Sequence, residues 1–194
     1  MSYILVCRLN QIAETAVLHG AREMVSLLAE NQHFHRPGVI DENRHLKLGL
    51  NDISESRPGL TAPDEAHVER LIKFAHGWDQ RAPLVIHCWL GISRSPAAAA
   101  ITALALEPDQ DEMALAERLR AASPFVTPNP RLVEIGDSLL GRKGRLIRAI
   151  KAIGRGADTF EGGRICLAVR PSDEGASRHA GPPHRPWLSA GHGH

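Results

Sequence analysis

An uninterrupted apolar run near the middle of the chain restricts the fold more than any other feature. Residues 83–88 read PLVIHC, and the helix-forming segment that follows, residues 95–107, is rich in alanine. A strand without polar alternation is typical of a parallel sheet that is covered on both faces, and small side chains allow a helix to pack closely against it. The run therefore predicts an α/β fold, a central mostly parallel sheet flanked by helices.

Apolar periodicity places the other elements around this strand. Residues 3–9 (YILVCRL) and the alternating residues 45–50 (HLKLGL) are predicted strands, and residues 21–30 (AREMVSLLAE) have apolar residues at helical spacing. Further helices are predicted at residues 63–78, 95–107, 109–122 and 127–141. The predicted order β-α-β-α-β-α-α-α fits one α/β domain.

The composition changes after residue 141. We predict a folded domain at residues 1–141, a basic amphipathic helical extension at 142–156, and a largely disordered tail rich in Gly, Pro and His at 157–194. A short strand at 163–170 is a further expectation. The apolar stripe of the extension is expected to pack on the core with its basic side chains in water. The alternative is a surface at 142–155 for anionic lipid or acidic partners.

Charge and cysteine content exclude several classes of protein. The formal net charge is +1, which gives no indication of a nucleic-acid partner. Cys7, Cys88 and Cys166 are widely spaced and form no CxxC pair, so we expect neither a disulfide framework nor a zinc site. We recognise no signal peptide or membrane-spanning run and expect a cytoplasmic protein. His33, His35 and the terminal GHGH lack a third ligand at suitable spacing, so no metal or other cofactor is expected.

The segment VIHCWLGISRS, residues 85–95, places a thiol where the buried strand meets a helix. Cysteines at helix N-termini and beside cations ionise at lower pH than free cysteine, which makes Cys88 a candidate nucleophile. Gly91 permits backbone angles that turn the N–H groups of the loop inward. The planar guanidinium of Arg94 can bind two oxygens of one phosphate. The residues expected to bind the phosphate are Trp89, Leu90, Gly91, Ile92, Ser93 and Arg94.

Such a loop suits a tetrahedral dianion above a thiolate. Attack by sulfur on phosphorus would form a phosphocysteine, which water then hydrolyses. His87 is expected to hold the loop backbone and tune the thiolate, and Ser95 to donate to the sulfur when it leaves. The structural alternatives are a buried cysteine at a strand end for Cys88 and a core histidine for His87.

These residues also form a recognisable pattern. The loop resembles the signature of the cysteine-dependent protein tyrosine phosphatase superfamily, in its dual-specificity branch: His-Cys, any two residues, Gly, any residue, Ser-Arg-Ser. Here the pattern is complete as His87, Cys88, Gly91, Ser93, Arg94 and Ser95. The resemblance covers about residues 1–141 and implies a catalytic domain that hydrolyses phosphomonoesters, with protein tyrosine or dual-specificity phosphatase activity. It implies a phosphorylated protein or other phosphomonoester as partner, and we expect a monomer.

The resemblance further implies an acid and a bracing asparagine. In the family, an aspartate that follows a strand protonates the leaving group and then activates water. Asp52 follows residues 45–50 in this sequence, and Asp64 and Asp41 are the alternatives, of which Asp64 also suits a helix N-cap. Asn129 matches the asparagine that braces the signature loop, and its alternative role is the N-cap of the following helix.

Two other functions are weighed against the phosphatase hypothesis. A phosphate-recognition module without turnover commonly loses the cysteine, the arginine or the acid, whereas this chain has all three. Sulfurtransferases of the rhodanese type lack the Gly-x-Ser-Arg-Ser ending, and an arsenate reductase needs a resolving cysteine near Cys88. Cys7 is expected in the core of the first strand, and a disulfide with Cys88 is its alternative. Phosphotyrosine, phosphoserine, phosphothreonine, phosphoinositide and nucleotide substrates all present the same dianion.

Overall fold

The computed structural model describes residues 2–159 and 162–170. Within these residues, one sheet contains five strands: β1 Tyr3–Arg8, β2 Glu23–Leu28, β3 His45–Gly49, β4 Leu84–Cys88 and β5 Ile165–Ala168. The strand order is β3-β2-β4-β1-β5; the first four strands are parallel, and β5 pairs antiparallel with β1. The predicted mostly parallel sheet is confirmed, as is the predicted strand within 163–170.

Helices connect the strands and continue after the last parallel strand. They are α1 Ile12–Leu18, α2 Glu65–Gly77, α3 Arg94–Leu106, α4 Glu112–Ala122, α5 Pro130–Leu139 and α6 Arg145–Ala152, with 3₁₀ turns at Leu9–Gln11 and Glu42–Arg44. Asp64 and Asp111 begin α2 and α4 by accepting hydrogen bonds from backbone N–H groups of the first turn. No helix within the described part of the chain has the length and apolarity needed to span a membrane.

The predicted helix at residues 21–30 is wrong. Residues Glu23–Leu28 form β2, which is buried throughout and hydrogen-bonded to β3 on one side and β4 on the other. A strand in this position is covered on both faces and needs no polar alternation, so its apolar residues fit helical and extended spacing alike. The first helix is instead α1, which packs against β1 and β4.

Helices cover both faces of the sheet, and Cys7 and Cys88 lie on opposite faces. One core cluster contains Ile86 and Cys88 together with apolar residues of α2 to α6, and the other contains Cys7 and Val85 with residues of α1. Cys7 is fully buried, as predicted, and burial raises the pKa of its thiol to about 11. Cys7 and Cys88 are both free, and their side chains point to opposite faces of the sheet, which disfavours the alternative disulfide.

The segment after residue 141 contributes to the packed structure. Leu146 and Ala149 of α6 are buried, in agreement with the interpretation that the apolar stripe packs on the core. Strand β5 lies within the segment predicted as a tail and forms one edge of the sheet. Residues 171–194 lie outside the described residues, so disorder there, like the domain boundaries at 141 and 156, stays a prediction.

Candidate active site

The loop between β4 and α3 is held by neighbouring backbone. The Thr127 N–H donates to the Ile92 carbonyl at 2.8 Å. Gly91 has a φ of 75°, and a Cβ at this position would lie 2.9 Å from the backbone carbonyl carbon of Cys7. The left-handed φ and the close approach to β1 both exclude a side chain here, so the glycine of the motif is a geometric requirement.

Cys88 ends β4 at a cavity of about 360 Å³. The residue is only 2% exposed. The Gly91 N–H donates to Sγ at 3.3 Å, and the hydroxyl oxygen of Ser95 lies 3.1 Å from the same sulfur. The thiol therefore lies within reach of two donors that can stabilise negative charge on sulfur.

Other backbone donors of the loop have no hydrogen-bond acceptor among the described residues. The N–H groups of Leu90, Ile92 and Ser93 make no hydrogen bond to a residue that the structure describes. They lie just before the N-terminus of α3, where the helix dipole favours negative charge. An anion bound here can receive hydrogen bonds from the loop without displacing a protein partner.

Arg94, the first residue of α3, lies in the wall of the same cavity. Its Nη1 donates to the Leu50 carbonyl at 3.1 Å, and its Nε lies 3.8 Å from Oδ2 of Asp52. The Leu50 carbonyl thus fixes one edge of the guanidinium, while Nη2 makes no hydrogen bond to a described residue. The remaining N–H groups can bind a phosphate in bidentate fashion.

Asp52 lies three residues after the end of β3 and lines the cavity together with Cys88. Its Oδ1 accepts hydrogen bonds from the Ser93 hydroxyl and the side-chain amide of Asn129, both at 2.8 Å. The side chain is 37% exposed, so the carboxylate is accessible from the cavity. Of the alternatives, Asp64 caps α2, and neither it nor Asp41 lines the cavity.

Asn129 connects a helix, the loop and the acid. Its Oδ1 accepts from the Leu132 N–H at 3.0 Å and caps α5, as one interpretation of the sequence expects. Its backbone N–H donates to the Ser93 carbonyl at 3.2 Å, so the residue also contacts the loop. The side-chain amide is directed at Asp52 rather than at the loop, and this fixes the position of the carboxylate.

His87 is buried and belongs to a network that the sequence did not indicate. Its Nε2 lies 2.6 Å from the hydroxyl oxygen of Ser26 on β2, and the same oxygen lies 2.8 Å from Nε2 of His45. The ring of Phe34 contacts both imidazoles edge-on. Burial lowers the pKa of each histidine to about 4, so both are neutral at neutral pH. The available signal for Ser26 was a lone hydroxyl inside an apolar run, which implies a buried partner.

The rim of the cavity includes residues that sequence analysis did not select. Ala29 and Gln32 follow β2 and line the cavity, and Asn51 precedes Asp52 in its wall. Ala29 and Gln32 become recognisable only when β2 is known to be a strand, because its carboxyl end then lies beside that of β4. Trp89 also lines the cavity and is 51% exposed.

The histidines considered as metal ligands form no such site in the described residues. No group of three or more His, Cys, Asp or Glu side chains is arranged there to hold a metal ion. His33 and His35 lie in the segment between β2 and β3. The terminal GHGH lies outside the described residues.

Comparisons with known proteins connect this geometry to one fold. No protein-family model and no curated protein matches the sequence. Human DUSP28 is 15% identical, with a TM-score of 0.56 over 72% of this chain and 89% of that chain. A mouse putative dual specificity phosphatase complexed with zinc tungstate is 15% identical, with a TM-score of 0.55 over 76% of this chain and 86% of that chain.

A third similar structure is that of a phosphatase-like interacting protein. The human tyrosine phosphatase-like serine/threonine/tyrosine-interacting protein is 16% identical, with a TM-score of 0.54 over 72% of this chain and 92% of that chain. Taken together, the three similarities show that this chain has the fold of the dual-specificity phosphatases.

Proposed function

We propose that the protein is a phosphomonoester hydrolase of the cysteine-dependent protein tyrosine phosphatase superfamily, with tyrosine or dual-specificity activity on a phosphorylated protein. The observation that carries the proposal is the convergence of Cys88, Arg94 and Asp52 on one cavity. The complete signature motif and the dual-specificity phosphatase fold support it.

In the first step, Sγ of Cys88 attacks the phosphorus of the substrate. The S–P bond forms while the P–O bond to the leaving group breaks, and Asp52 gives its proton to the departing oxygen. Negative charge spreads over the three remaining phosphoryl oxygens, which the loop N–H groups and Arg94 surround. In this proposal the guanidinium and the amides provide the electrostatic stabilisation of the transition state.

In the second step, water attacks the phosphocysteine. Asp52, now a carboxylate, accepts a proton from the water, the S–P bond breaks, and inorganic phosphate is released. The hydroxyl of Ser95, 3.1 Å from the sulfur, stabilises the thiolate as it leaves. Ser93 and Asn129 hold the carboxylate in position through both steps.

The alternative functions fit the geometry less well. The name of one similar structure describes an interacting protein, which matches the hypothesis of a recognition module. A module has no need of an acid held beside the phosphate site, yet two hydrogen bonds fix Asp52 there. Arsenate reduction requires a resolving thiol, and Cys7, the residue considered for that role, points to the opposite face of the sheet from Cys88.

Hydrolysis of para-nitrophenyl phosphate tests the proposal. The wild type is expected to hydrolyse it with sensitivity to vanadate, and Cys88→Ser is expected to be inactive. Cys166→Ser, which alters an exposed thiol on β5, is the matched control and should retain activity. Full activity of the Cys88 variant would contradict the proposal. Phosphotyrosine and phosphoserine peptides then separate tyrosine from dual specificity.

A further inference from the structure

A second cavity adjoins the proposed active site. Its volume is about 440 Å³, and it shares two wall residues, Ala29 and Gln32, with the cavity that contains Cys88. Its floor includes Ser26 of β2, the residue hydrogen-bonded to His87. The two cavities are therefore adjacent, with Ala29 and Gln32 between them.

Two cations line this second cavity from different elements. Lys47 is on β3 and Arg70 is on α2, and both side chains are exposed. The Arg70 Nη2 donates to the Lys47 carbonyl at 2.9 Å, which holds the guanidinium at the edge of the sheet. Neither cation forms an ion pair with a described residue, in contrast to Arg44 nearby, which contacts Glu23 and Asp79.

The remaining lining leaves the cavity positive. Glu30 is the one acidic residue among those that line it, against two cations. The Glu30 side chain lies along the backbone of β3, since a Cβ at Gly49 would come within 2.4 Å of its Cγ. Unpaired cations in a concave site attract anions from solution.

We infer that this second cavity binds a second anionic group of the substrate, a phosphate or a carboxylate. This inference rests on the proposed function and adds a substrate class to it: phosphomonoesters that carry a further anion on the side of Gln32. Substrate that places its reacting phosphate above Cys88 extends past Gln32 to Lys47 and Arg70.

The test compares matched substrates with one and two anionic groups. One pair is an inositol monophosphate and an inositol bisphosphate, and the other is a phosphotyrosine peptide with a neighbouring glutamine or a neighbouring phosphoserine. The two pairs separate a small-molecule source of the second anion from a peptide source. Para-nitrophenyl phosphate reports the chemical step alone.

Wild-type enzyme should prefer the doubly anionic member of at least one pair in kcat/KM. Lys47→Gln and Arg70→Gln should each reduce that preference about fivefold. Arg70→Lys retains the charge and should retain most of the preference, which separates electrostatics from loss of the Lys47 hydrogen bond. Lys73→Gln is the matched control, because Lys73 is on the same helix but lines a different groove. This variant should leave kcat/KM unchanged for both members of each substrate pair.

Three outcomes are distinguishable. The inference is wrong, and the proposed function stands, if the wild type is active but shows no preference for the doubly anionic substrates. The same holds if Lys73→Gln lowers that preference as much as Lys47→Gln does. If no phosphomonoester is hydrolysed, the proposed function fails. In that case, calorimetric titration of inositol bisphosphate into the wild type and the Lys47→Gln/Arg70→Gln variant measures binding at the second cavity. Equal affinity of the two proteins would contradict the inference.

Discussion

Among the described residues, Arg94 and Arg142 are buried to nearly the same extent, with 8% and 6% of their side chains exposed. Both lie near a carboxylate. Arg142 donates to Glu112 at 3.3 Å and to two backbone carbonyls, those of Leu104 and Pro108. The Arg94 side chain makes a single hydrogen bond within the described part of the chain, to the Leu50 carbonyl, and faces a cavity.

The two arginines differ in how many of their guanidinium N–H groups already donate to the protein. At Arg142 the protein itself supplies three acceptors, and Glu112 is also bound by Arg145 at 3.0 Å, so the junction of α3, α4 and α6 is closed. At Arg94 the nearest carboxylate oxygen, Oδ2 of Asp52, is 3.8 Å away, and the other oxygen of that carboxylate accepts from Ser93 and Asn129. Burial of an arginine therefore does not by itself indicate function; unused N–H groups that face a cavity do.

Replacing Arg94 should have the largest effect on activity. Arg94→Lys retains the charge but loses the planar fork, and we expect kcat/KM for para-nitrophenyl phosphate to fall about a thousandfold. The midpoint of thermal unfolding should change little, because the Arg94 side chain makes only one hydrogen bond to the described part of the protein. Steady-state kinetics and circular dichroism check both parts. Near-normal activity of Arg94→Lys would remove the distinction between the two arginines.

Replacing Arg142 should give the opposite result. Arg142→Met leaves Glu112 buried with one partner fewer, and loss of one member of a buried pair costs about 3 kcal/mol of unfolding free energy. Urea denaturation measures this loss, and kcat of the folded fraction should be unchanged. An unaltered denaturation midpoint would show that the closed junction contributes nothing to stability.

The carboxylate beside Arg94, that of Asp52, gives a third prediction. Asp52→Asn retains an oxygen that can accept from Ser93 and Asn129 but has no proton to transfer, so we expect kcat to fall about a hundredfold with KM nearly constant. Stopped-time assays with para-nitrophenyl phosphate measure both constants. A large rise in KM with kcat unchanged would indicate that Asp52 binds substrate instead of transferring protons.

The last effect, which is absent at neutral pH, concerns the neutral network beside the loop. Burial lowers the pKa of His87 from 6.5 to about 4, so the unfolded chain binds a proton in this range that the folded protein does not. Stability is complete above pH 6.5 and falls as pH decreases toward 4, by up to about 1.4 kcal/mol per pH unit. Urea midpoints at several pH values should show a shallower fall for His87→Gln than for the wild type. Parallel curves would contradict a neutral buried histidine.

Local sequence signals predicted the part of the site that is built locally. The strand, loop and helix around Cys88 are contiguous, and their residues need particular geometry, as Gly91 shows with its positive φ. Asp52 follows an alternating strand, and the resemblance to the phosphatase superfamily implied it over Asp64 and Asp41. The fold class followed from the buried strand β4.

The remaining parts depend on which strands become neighbours. Ser26 contacts His87 only because β2 lies beside β4, and the apolar residues of β2 fitted a helix equally well. The position of Gln32 beside the cavity has the same origin. The side-chain amide of Asn129 donates to Asp52, a contact between positions 77 residues apart that no local pattern can reveal.

Turnover by the proposed mechanism requires a covalent bond between sulfur and phosphorus at Cys88. Rapid acid quenching of wild-type enzyme during turnover of para-nitrophenyl phosphate, followed by peptide mass spectrometry, measures it directly. Asp52→Asn, in which hydrolysis of the intermediate is slowed, should accumulate more of it. We predict one phosphoryl group on the peptide that contains Cys88 and none in Cys88→Ser. Steady hydrolysis with no phosphoryl group on that peptide in either active enzyme would contradict the account.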